Sequence, residues 1–273
     1  MGIIDGTIPY VPGVEGSSFF GGRDLMLGPC NAYIGNSTPV ALAGTIATDG
    51  TTNALTGTGT AFTTALKVGQ YVQIASSLVL YRIATITTDT AATVEGIPPV
   101  GTGQTAKLVS LMSLGGSDAT TVSWKLHKTP LKESQSGDNA ADQAVVGFET
   151  TIEMGLTRLT LERMERVIQG MNMHRQTADG AIDSAVFVVP LGQTDSSIWD
   201  MIHLVRIGAD GGESTDVKDH ITFFRAVATP DAQQKKDAAS QIITKSMFTC
   251  YRDDTRKVNG APAVFMIGTY IFS

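Results

Sequence analysis

The amino-acid sequence predicts a mainly β chain with one α-helix and a small all-β segment inserted into a larger β domain. Three observations support this prediction. Apolar and polar residues alternate with period two on both sides of a polar stretch, which indicates two paired strands. A threonine-rich segment with few charges interrupts the chain. A clear helical spacing of apolar residues occurs in one stretch, at residues 160–169.

The composition favours a protein that buries part of its surface in an assembly. Hydrophobic residues make up 42% of the 273 residues and charged residues only 17%, whereas about 25% charge is usual in a soluble domain. A chain of this length can bury a real core in one large or two modest domains. Its net charge of -6 argues against a nucleic-acid binder that neutralises phosphates, because such proteins carry clustered Lys and Arg.

The sequence gives no sign of a secretory leader or a membrane span. Residues 1–10 contain no basic segment followed by an apolar run, so we expect the protein to stay where it is made. The longest apolar stretches are roughly half the ~20 residues that a membrane helix requires. Cys30 and Cys250 match neither a metal-ligand spacing nor a small disulfide scaffold, so we predict two buried, unpaired thiols.

The first strand is predicted at residues 29–35, and the composition changes soon after it. Residues 44–109 contain 16 Thr and only 6 charged residues, whereas the whole chain has 20 Lys and Arg and 26 Asp and Glu. Strands are predicted in this segment at 68–75, 81–87 and 92–96. Turn residues separate these short runs, which is typical of a small all-β domain. Because a loop insertion costs little closure entropy, we predict a host domain, residues 1–43 and 110–273, with a guest at 44–109.

A long hairpin is predicted after the inserted segment. Residues 114–117, Leu-Gly-Gly-Ser, are expected to form the turn that leads into it. The apolar positions of its two strands are Val122, Trp124 and Leu126, followed by Val146, Phe148, Thr150, Ile152 and Met154. The polar positions between them are Ser123, Lys125, His127, Gly147, Glu149, Thr151 and Glu153. Residues 133–144 contain no apolar side chain larger than alanine, so we expect a polar loop that is either disordered or held by a partner.

One helix is predicted after the hairpin, at residues 160–169, and the rest of the chain returns to strands. The apolar stripe of this helix consists of Leu161, Met164, Val167 and Ile168, and Gly170 is placed to end it. Further strands are predicted at 185–191, 203–207, 220–228, 241–252 and 263–272. A short helix is expected to begin at Pro230 and Asp231, because Pro suits the first helical turn and Asp its positive end.

No catalytic, metal or cofactor site is predicted. None of the four histidines has a second His or a carboxylate three or four positions further along a predicted helix, so the sequence lacks a zinc signature. The chain also lacks a Gly-x-Ser-x-Gly elbow. Its candidate phosphate loop, Gly57-Thr-Gly-Thr60, has neither a following Lys nor a predicted following helix. We therefore expect a protein that is not an enzyme and that needs no cofactor.

Several motifs of the host domain, taken in order, resemble those of a known family. They are Gly28-Pro29-Cys30-Asn31-Ala32-Tyr33-Ile34-Gly35, the Leu114-Gly115-Gly116 turn, the hairpin whose polar loop contains Asp142 and Gln143, the helix ending at Gly170, and the strands at 220–230 and 241–253. Over most of the host domain, this order is similar to that of the tail tube (major tail) proteins of long-tailed bacteriophages. The guest, with Gly57-Thr-Gly-Thr-Ala-Phe62 and Leu66-Lys-Val-Gly-Gln-Tyr71, resembles a β module common in phage tail and fibre proteins.

The resemblance implies a β-sandwich with one packed α-helix and an extended hairpin that contributes to an inter-subunit β-barrel. It implies a homo-oligomer whose rings, expected to be hexameric, stack into the hollow tail tube of the virion. DNA and the tape measure protein would pass through the lumen without specific binding, and other tail proteins would contact the tube ends. The protein would be made in the host cytoplasm and would have no membrane partner.

The resemblance also implies roles for two groups of hairpin residues. The lumen-facing group is Ser123, Lys125, His127, Glu149, Thr151 and Glu153. The group expected to contact an adjacent ring is Glu133, Ser134, Gln135, Asp138, Asn139, Asp142 and Gln143. With one Lys and two Glu, the lumen-facing group predicts a mildly acidic wall, which repels the DNA backbone rather than holding it.

Three other functions stay open on the sequence alone. A β-rich tail fibre or receptor-binding protein would trimerise and use the guest segment to contact glycans. A secretion-system tube would share the architecture but would move proteins instead of DNA. The third is an enzyme whose site is too diffuse to leave a sequence motif.

Overall fold

The computed structural model describes most of the chain between Pro29 and Gly268. The described residues are 29–36, 39–74, 79–132, 140–156, 160, 163, 166–167, 172–178, 181–188, 199–208, 210–235, 243–258 and 260–268. Within these ranges the strand pairings are antiparallel and strands predominate. The mainly β fold predicted from the sequence is therefore confirmed.

The elements whose two ends are described comprise nineteen strands and two short helical segments. In chain order the strands are β1 (Cys30–Asn36), β2 (Val40–Ala41), β3 (Thr45–Thr48), β4 (Ala54–Thr58), β5 (Tyr71–Ile74), β6 (Leu80–Thr88), β7 (Ala91–Val94), β8 (Gly101–Gln104), β9 (Ala106–Val109), β10 (Leu111–Lys132), β11 (Ala140–Leu156), β12 (Asn172–Ala178), β13 (Ala181–Val188), β14 (Asp200–Arg206), β15 (Ile221–Lys235), β16 (Ile243–Tyr251), β17 (Asp253–Val258), β18 (Ala261–Ala263) and β19 (Phe265–Ile267). The helix α1 spans Phe62–Ala65, and a 3-10 turn spans Val217–Asp219.

Seven host strands form one sheet that closes on itself. Their order is β14-β1-β10-β11-β16-β15-β19, and β14 also pairs with β15. Alternate side chains of these strands point inward, so Ile34, Ile152 and Phe248 are fully buried in the host core. Both cysteines lie in this core as free thiols, Cys30 at 6% and Cys250 at 4% exposure, which confirms their predicted burial.

The helix predicted at residues 160–169 is described at only a few positions. Arg163, Arg166 and Val167 are helical, and Val167 packs into the host core. The hydroxyl of Thr160 accepts a hydrogen bond from the backbone amide of Arg163 at 3.3 Å, as an N-cap residue does. The other positions of the predicted stripe, and Gly170, lie outside the described residues.

Strands β2 to β9, from residues 40–109, form a separate eight-stranded sheet, which we call the insert sheet. Its order is β2-β9-β5-β6-β7-β4-β3-β8. In the described part of the chain, these strands pair only with one another. The strands predicted at 68–75, 81–87 and 92–96 correspond to β5, β6 and β7. The helix α1 begins two residues after Thr60, where none was expected, but it has only four residues and no lysine.

Host side chains complete the core of the insert sheet. Residues of the insert sheet such as Phe62 and Ile83 are buried together with Val217, Phe224 and Met266, which all belong to the host. Val217 lies in the 3-10 turn that precedes β15, and it packs closely against Gly96 of the insert. The insert sheet is therefore docked on the host through apolar contacts rather than only tethered to it.

The turn expected at residues 114–117 is a β-bulge within β10. Ala32 pairs with Gly115 and Tyr33 with Ser113, so Leu114 is the extra residue of the bulge. Gly115 has a φ of +95°, which a glycine adopts without the steric cost of a side chain. Gly115 supplies the special backbone angle of a bulge, which the sequence pattern alone does not distinguish from a turn.

Two other expectations about the later strands were wrong. Pro230 and Asp231 do not begin a helix but lie within β15, where the pairing with β16 skips from Thr229 to Gln233. A proline is tolerated in a strand at such an irregularity, because its missing N–H is not needed there. Strand β12, which pairs with β13, lies in a region where no strand was predicted.

Candidate functional site

The hairpin of β10 and β11 is the feature that best indicates a function. Its base is joined to the host sheet, because β10 pairs with β1 up to Ser117 and β11 pairs with β16 from Thr150 onward. Beyond these residues the two strands pair with each other as far as Lys132 and Ala140. Among the described residues no other strand pairs with the outer edges of this hairpin arm, which comprises residues 118–132 and 140–149.

The six residues expected to face a lumen lie on one face of the hairpin. Ser123 is paired with Thr151, Lys125 with Glu149, and His127 with Gly147, so the polar positions of the two strands stand side by side. The residues on this face, which we call the polar face, are exposed or half-exposed: Ser123, Lys125, His127, Glu149, Thr151 and Glu153. The period-two pattern therefore brings them together on one surface.

One hydrogen bond and one ion pair engage the two carboxylates of the polar face. His127 Nε2 lies 3.1 Å from a carboxylate oxygen of Glu149, and Lys245 of the neighbouring strand β16 donates to Glu153 across 3.2 Å. Both pairs are well exposed to solvent, so each contributes little to folding stability. The ammonium of Lys245 does offset the charge of Glu153, which keeps the local charge of this face small.

The opposite face of the hairpin is apolar, and its burial changes along the strands. Near the base Ile152 and Met154 are fully buried in the host core. Further out Trp124, Leu126 and Phe148 are 48%, 53% and 44% exposed, and we call these three residues the apolar patch. An exposed cluster of large apolar side chains on a protein surface marks an interaction site more often than chance.

The predicted inter-ring residues are only partly described. Glu133, Ser134, Gln135, Asp138 and Asn139 lie outside the described residues. Asp142 and Gln143 lie in β11, paired with Leu131 and Pro130, so they belong to a strand and not to a loop. The loop was predicted from the lack of large apolar side chains, but main-chain pairing does not require them.

A cluster of aromatic and charged side chains joins the host to the insert sheet, and the sequence patterns did not predict it. Its rings meet edge to face, with neighbouring ring centres 5.3, 5.1 and 5.1 Å apart in the order Tyr33, Tyr71, His203 and His220. Tyr71 comes from the insert, Tyr33 from β1 and His203 from β14, while His220 lies directly before β15. A possible sequence signal is a histidine within apolar strand sequence, as in Met201-Ile-His-Leu-Val205.

Glu213 links the two parts of this cluster. Its carboxylate accepts hydrogen bonds from Asn31 Nδ2 at 2.6 Å and from the hydroxyl of Tyr33. Its second oxygen accepts from the guanidinium of Arg82, on the insert, at 3.0 Å. Burial and the hydrogen bond to Glu213 raise the pKa of Tyr33 to about 12, so this phenol keeps its proton at neutral pH.

The two histidines of the cluster are buried and neutral. Burial holds the pKa of His203 well below its usual value, and repulsion from His220 acts in the same direction. Burial also lowers the pKa of His220, although a hydrogen bond to the Ser214 carbonyl and nearby carboxylates partly oppose it. Neither ring therefore carries a charge at pH 7.

A second buried charge cluster surrounds Asp253 at the start of β17. Asp253 is 2% exposed, and its carboxylate contacts Arg225 at 2.8 Å and also Arg256. Burial would raise the pKa of Asp253, but hydrogen bonds from Thr255 and the two guanidinium groups lower it overall. The guanidinium groups in turn lie over aromatic rings, that of Arg225 over Trp199 at 3.7 Å. Each charged group of this arrangement pairs with one of opposite charge, which indicates a structural role.

The described residues offer little for catalysis or metal binding. They include no group of three or more His, Cys, Asp or Glu side chains that could hold a metal ion. Burial raises the pKa of both thiols, which makes them poor nucleophiles.

A cleft of about 740 Å³ lies between the insert and the host turn at Val217, with Tyr81, Ile97 and Val100 in its wall. No helix among the described residues has the length and apolar content needed to cross a bilayer.

Comparisons with known proteins do not assign the chain to a family. No protein-family model matches it, and no curated protein matches it significantly.

Proposed function

We propose that this protein is the repeating subunit of a phage tail tube, a homo-oligomer whose rings stack into a conduit for DNA. The observation that carries this proposal is the hairpin arm of β10 and β11. It has two outer edges without partners in the described structure, one polar face and one exposed apolar patch. The proposal also rests on the resemblance of the host motifs to tail tube proteins.

The unpaired edges support assembly with identical copies. The outer edge of an unpaired strand presents N–H and C=O groups that readily pair with another chain. In a closed ring, the β10 edge of one copy can pair with the β11 edge of the next, and closure leaves neither edge free. Each copy then contributes two strands to a continuous barrel around the ring axis.

The two faces of the hairpin arm suit such a barrel wall. The polar face can line a water-filled lumen, while the apolar patch faces outward and packs against the bodies of the subunits. Full burial of a large apolar side chain contributes about 1.5–3 kcal/mol, so covering the exposed half of Trp124, Leu126 and Phe148 favours assembly by roughly 2–4 kcal/mol per copy.

The charges of the polar face suit the passage of DNA. With one Lys, two Glu and a neutral His, the six residues carry a formal charge of -1 in each copy. The ion pair of Glu153 with Lys245 of β16 reduces the local field further. A wall of this kind neither attracts the phosphate backbone nor repels it strongly, so DNA and a tape measure protein can slide along it.

The experiment that tests the proposal is negative-stain imaging of the concentrated full-length protein, combined with sedimentation. We expect rings or tubes for the wild type. The double variant Trp124→Ser/Phe148→Ser should stay monomeric and folded, with a loss of about 1.5–3 kcal/mol in the free energy of unfolding from the buried halves of the two side chains. Val68→Ser is the matched control, because Val68 is an apolar residue of the insert that is 64% exposed. It should assemble like the wild type.

Three outcomes would contradict the proposal. If the wild-type protein stays monomeric at high concentration, the outer edges of the hairpin arm do not pair with other copies. Fibres in place of rings favour a tail fibre or receptor-binding protein. Assembly of the double variant at wild-type concentrations would show that the apolar patch is not part of the contact.

A further inference from the structure

The pair His203–His220 occupies the centre of the contact between host and insert. The two rings lie edge to face, with centres 5.1 Å apart. The ring of His203 also meets Tyr71 of the insert, with centres 5.1 Å apart, and its Nδ1 lies 2.9 Å from the hydroxyl of Thr222. Among the described residues, no hydrogen-bond partner reaches His203 Nε2 or His220 Nδ1.

His220 also stabilises the host segment that contacts the insert. We call residues 213–220 the junction loop. His220 Nε2 donates a hydrogen bond to the carbonyl of Ser214 at 2.8 Å, which holds the two ends of the loop together. Between these ends, Val217 is buried in the core of the insert sheet, and Glu213 binds Arg82 of the insert. The fold of this loop thus determines two contacts between host and insert.

The carboxylates around the pair offset only part of the cost of a buried cation. Glu213, the nearest carboxylate on the side of Tyr33 and Tyr71, already accepts hydrogen bonds from Arg82, Asn31 and Tyr33. Asp219 accepts from the hydroxyl of Ser214, and Asp216 accepts from the backbone amide of Lys218. In the described part of the chain, His203 contacts Tyr33 of β1, Tyr71 of β5 and Thr222 of β15, and none of these groups is an anion at neutral pH.

We propose that His203 and His220 form an acid-operated latch, in which protonation of the rings releases the junction loop and frees the insert from the host. A proton on either ring places a positive charge in a buried aromatic environment beside a second imidazole. Opening the loop hydrates both rings and removes that cost. The latch acts within one subunit, so it does not depend on tube assembly.

The direction of the effect follows from the burial of the two rings. Both histidines have pKa values below 6.5 in the closed state, and an opened, hydrated ring returns to about 6.5. The closed state is therefore fully favoured above pH 6.5 and loses stability as the pH falls below it. Between pH 7.5 and 5.5, opening should increase by up to about tenfold if one ring takes up a proton and by up to about a hundredfold if both do.

Hydrogen exchange of the full-length protein at pH 7.5 and 5.5, corrected for intrinsic exchange rates, tests this proposal. We expect the increase at amides of the junction loop and of the insert strand β6, with little change in β11 and β16 of the host core. The variant His203→Asn/His220→Gln keeps neutral amides in place of both rings, and it should lose the pH dependence. His127→Gln is the control, because His127 is an exposed histidine on the hairpin arm, and it should behave as the wild type.

Either of two results would overturn the latch. The double variant could keep the same pH dependence as the wild type, or acid could accelerate exchange equally throughout the host core. If the double variant does not fold, NMR titration of the wild-type imidazoles replaces it. The latch is then contradicted if a histidine of the pair gains its proton near pH 6.5 while the junction loop stays protected from exchange. It is supported if both rings gain protons only as the loop loses its protection.

Discussion

The backbone amide of Leu42 donates a hydrogen bond to the carbonyl oxygen of Ala106 across 2.9 Å. The chain therefore enters and leaves the insert sheet at adjacent points, where β2 pairs with β9. A short distance between the ends of an inserted segment means that the host chain can be rejoined without stretching its strands.

The first prediction concerns excision of residues 45–108. The shortened chain, which lacks residues 45–108, should fold, because the closed host sheet makes its strand pairs without these residues. It should be less stable than the wild type, because Val217, Phe224 and Met266 become exposed to solvent. Exposing a fully buried large apolar side chain costs about 1.5–3 kcal/mol of the free energy of unfolding. Urea unfolding measures this loss, and sedimentation shows whether the hairpin arm still drives association.

A companion variant of the shortened chain carries Val217→Ser and Met266→Gln, which reduce the newly exposed apolar surface. If both shortened chains fold but neither associates, the insert itself is needed for assembly. That result would show that the hairpin arm alone is not sufficient for association.

The second prediction concerns the buried carboxylate of Asp253. Asp253→Asn should lower the free energy of unfolding by about 3–5 kcal/mol, because it leaves Arg225 and Arg256 without their shared anion. Asp254→Asn is the matched control on the next residue, where the carboxylate is 60% exposed and pairs with Arg252 in solvent. It should cost less than about 1 kcal/mol in urea unfolding. Equal effects of the two variants would show that burial of the cluster is not maintained in solution.

The third prediction separates backbone strain from crowding between host and insert. Gly96 and Gly103 both have positive φ, but only at Gly96 would an added Cβ meet Val217 of the host, at 3.1 Å. Gly103→Ala should cost about 1–2 kcal/mol from its backbone alone. Gly96→Ala should cost about 1 kcal/mol more, from the crowded contact. Thermal unfolding of the two variants gives this difference, and similar costs would mean that insert and host lie further apart than described.

The fourth prediction follows from the proposed lumen. In virions built from Glu149→Lys/Glu153→Lys subunits, tubes should assemble but DNA ejection should be slower, because the polar face becomes attractive to phosphates. Asp254→Lys is the control, since it adds positive charge outside the hairpin arm. Ejection kinetics of the double variant that match the wild type would count against the assignment of this face to the lumen.

Short-range sequence patterns predicted the parts of the fold that depend on local alternation. The two faces of the hairpin could be read from period two, because side chains alternate along a strand whatever lies around it. The glycines of residues 114–117 were misread as a turn, since a bulge and a turn need the same backbone angles. The pairing of Asp142 and Gln143 was missed because strand pairing depends on the main chain, which leaves no mark in the side-chain pattern.

The cluster at His203 and His220 could not be predicted from the sequence. Its members come from β1, β5, β14 and the residue directly before β15, which are brought together by the closure of the host sheet and the docking of the insert. Contacts between positions so far apart depend on topology, and one sequence without its fold gives no means of locating them. The burial of Val217 in the core of the insert sheet was missed for the same reason.

Three anchoring side chains, Val217, Phe224 and Met266, also limit how freely the insert can be exchanged between proteins. A gene fragment for residues 40–109, grafted into an unrelated recipient, would lack these three side chains, and its interior would contain a gap. A recipient can accept the graft only if its own surface offers apolar groups of similar shape at the same place. Successful transfer of such a segment in evolution therefore requires a matched donor and acceptor rather than a free-standing cassette.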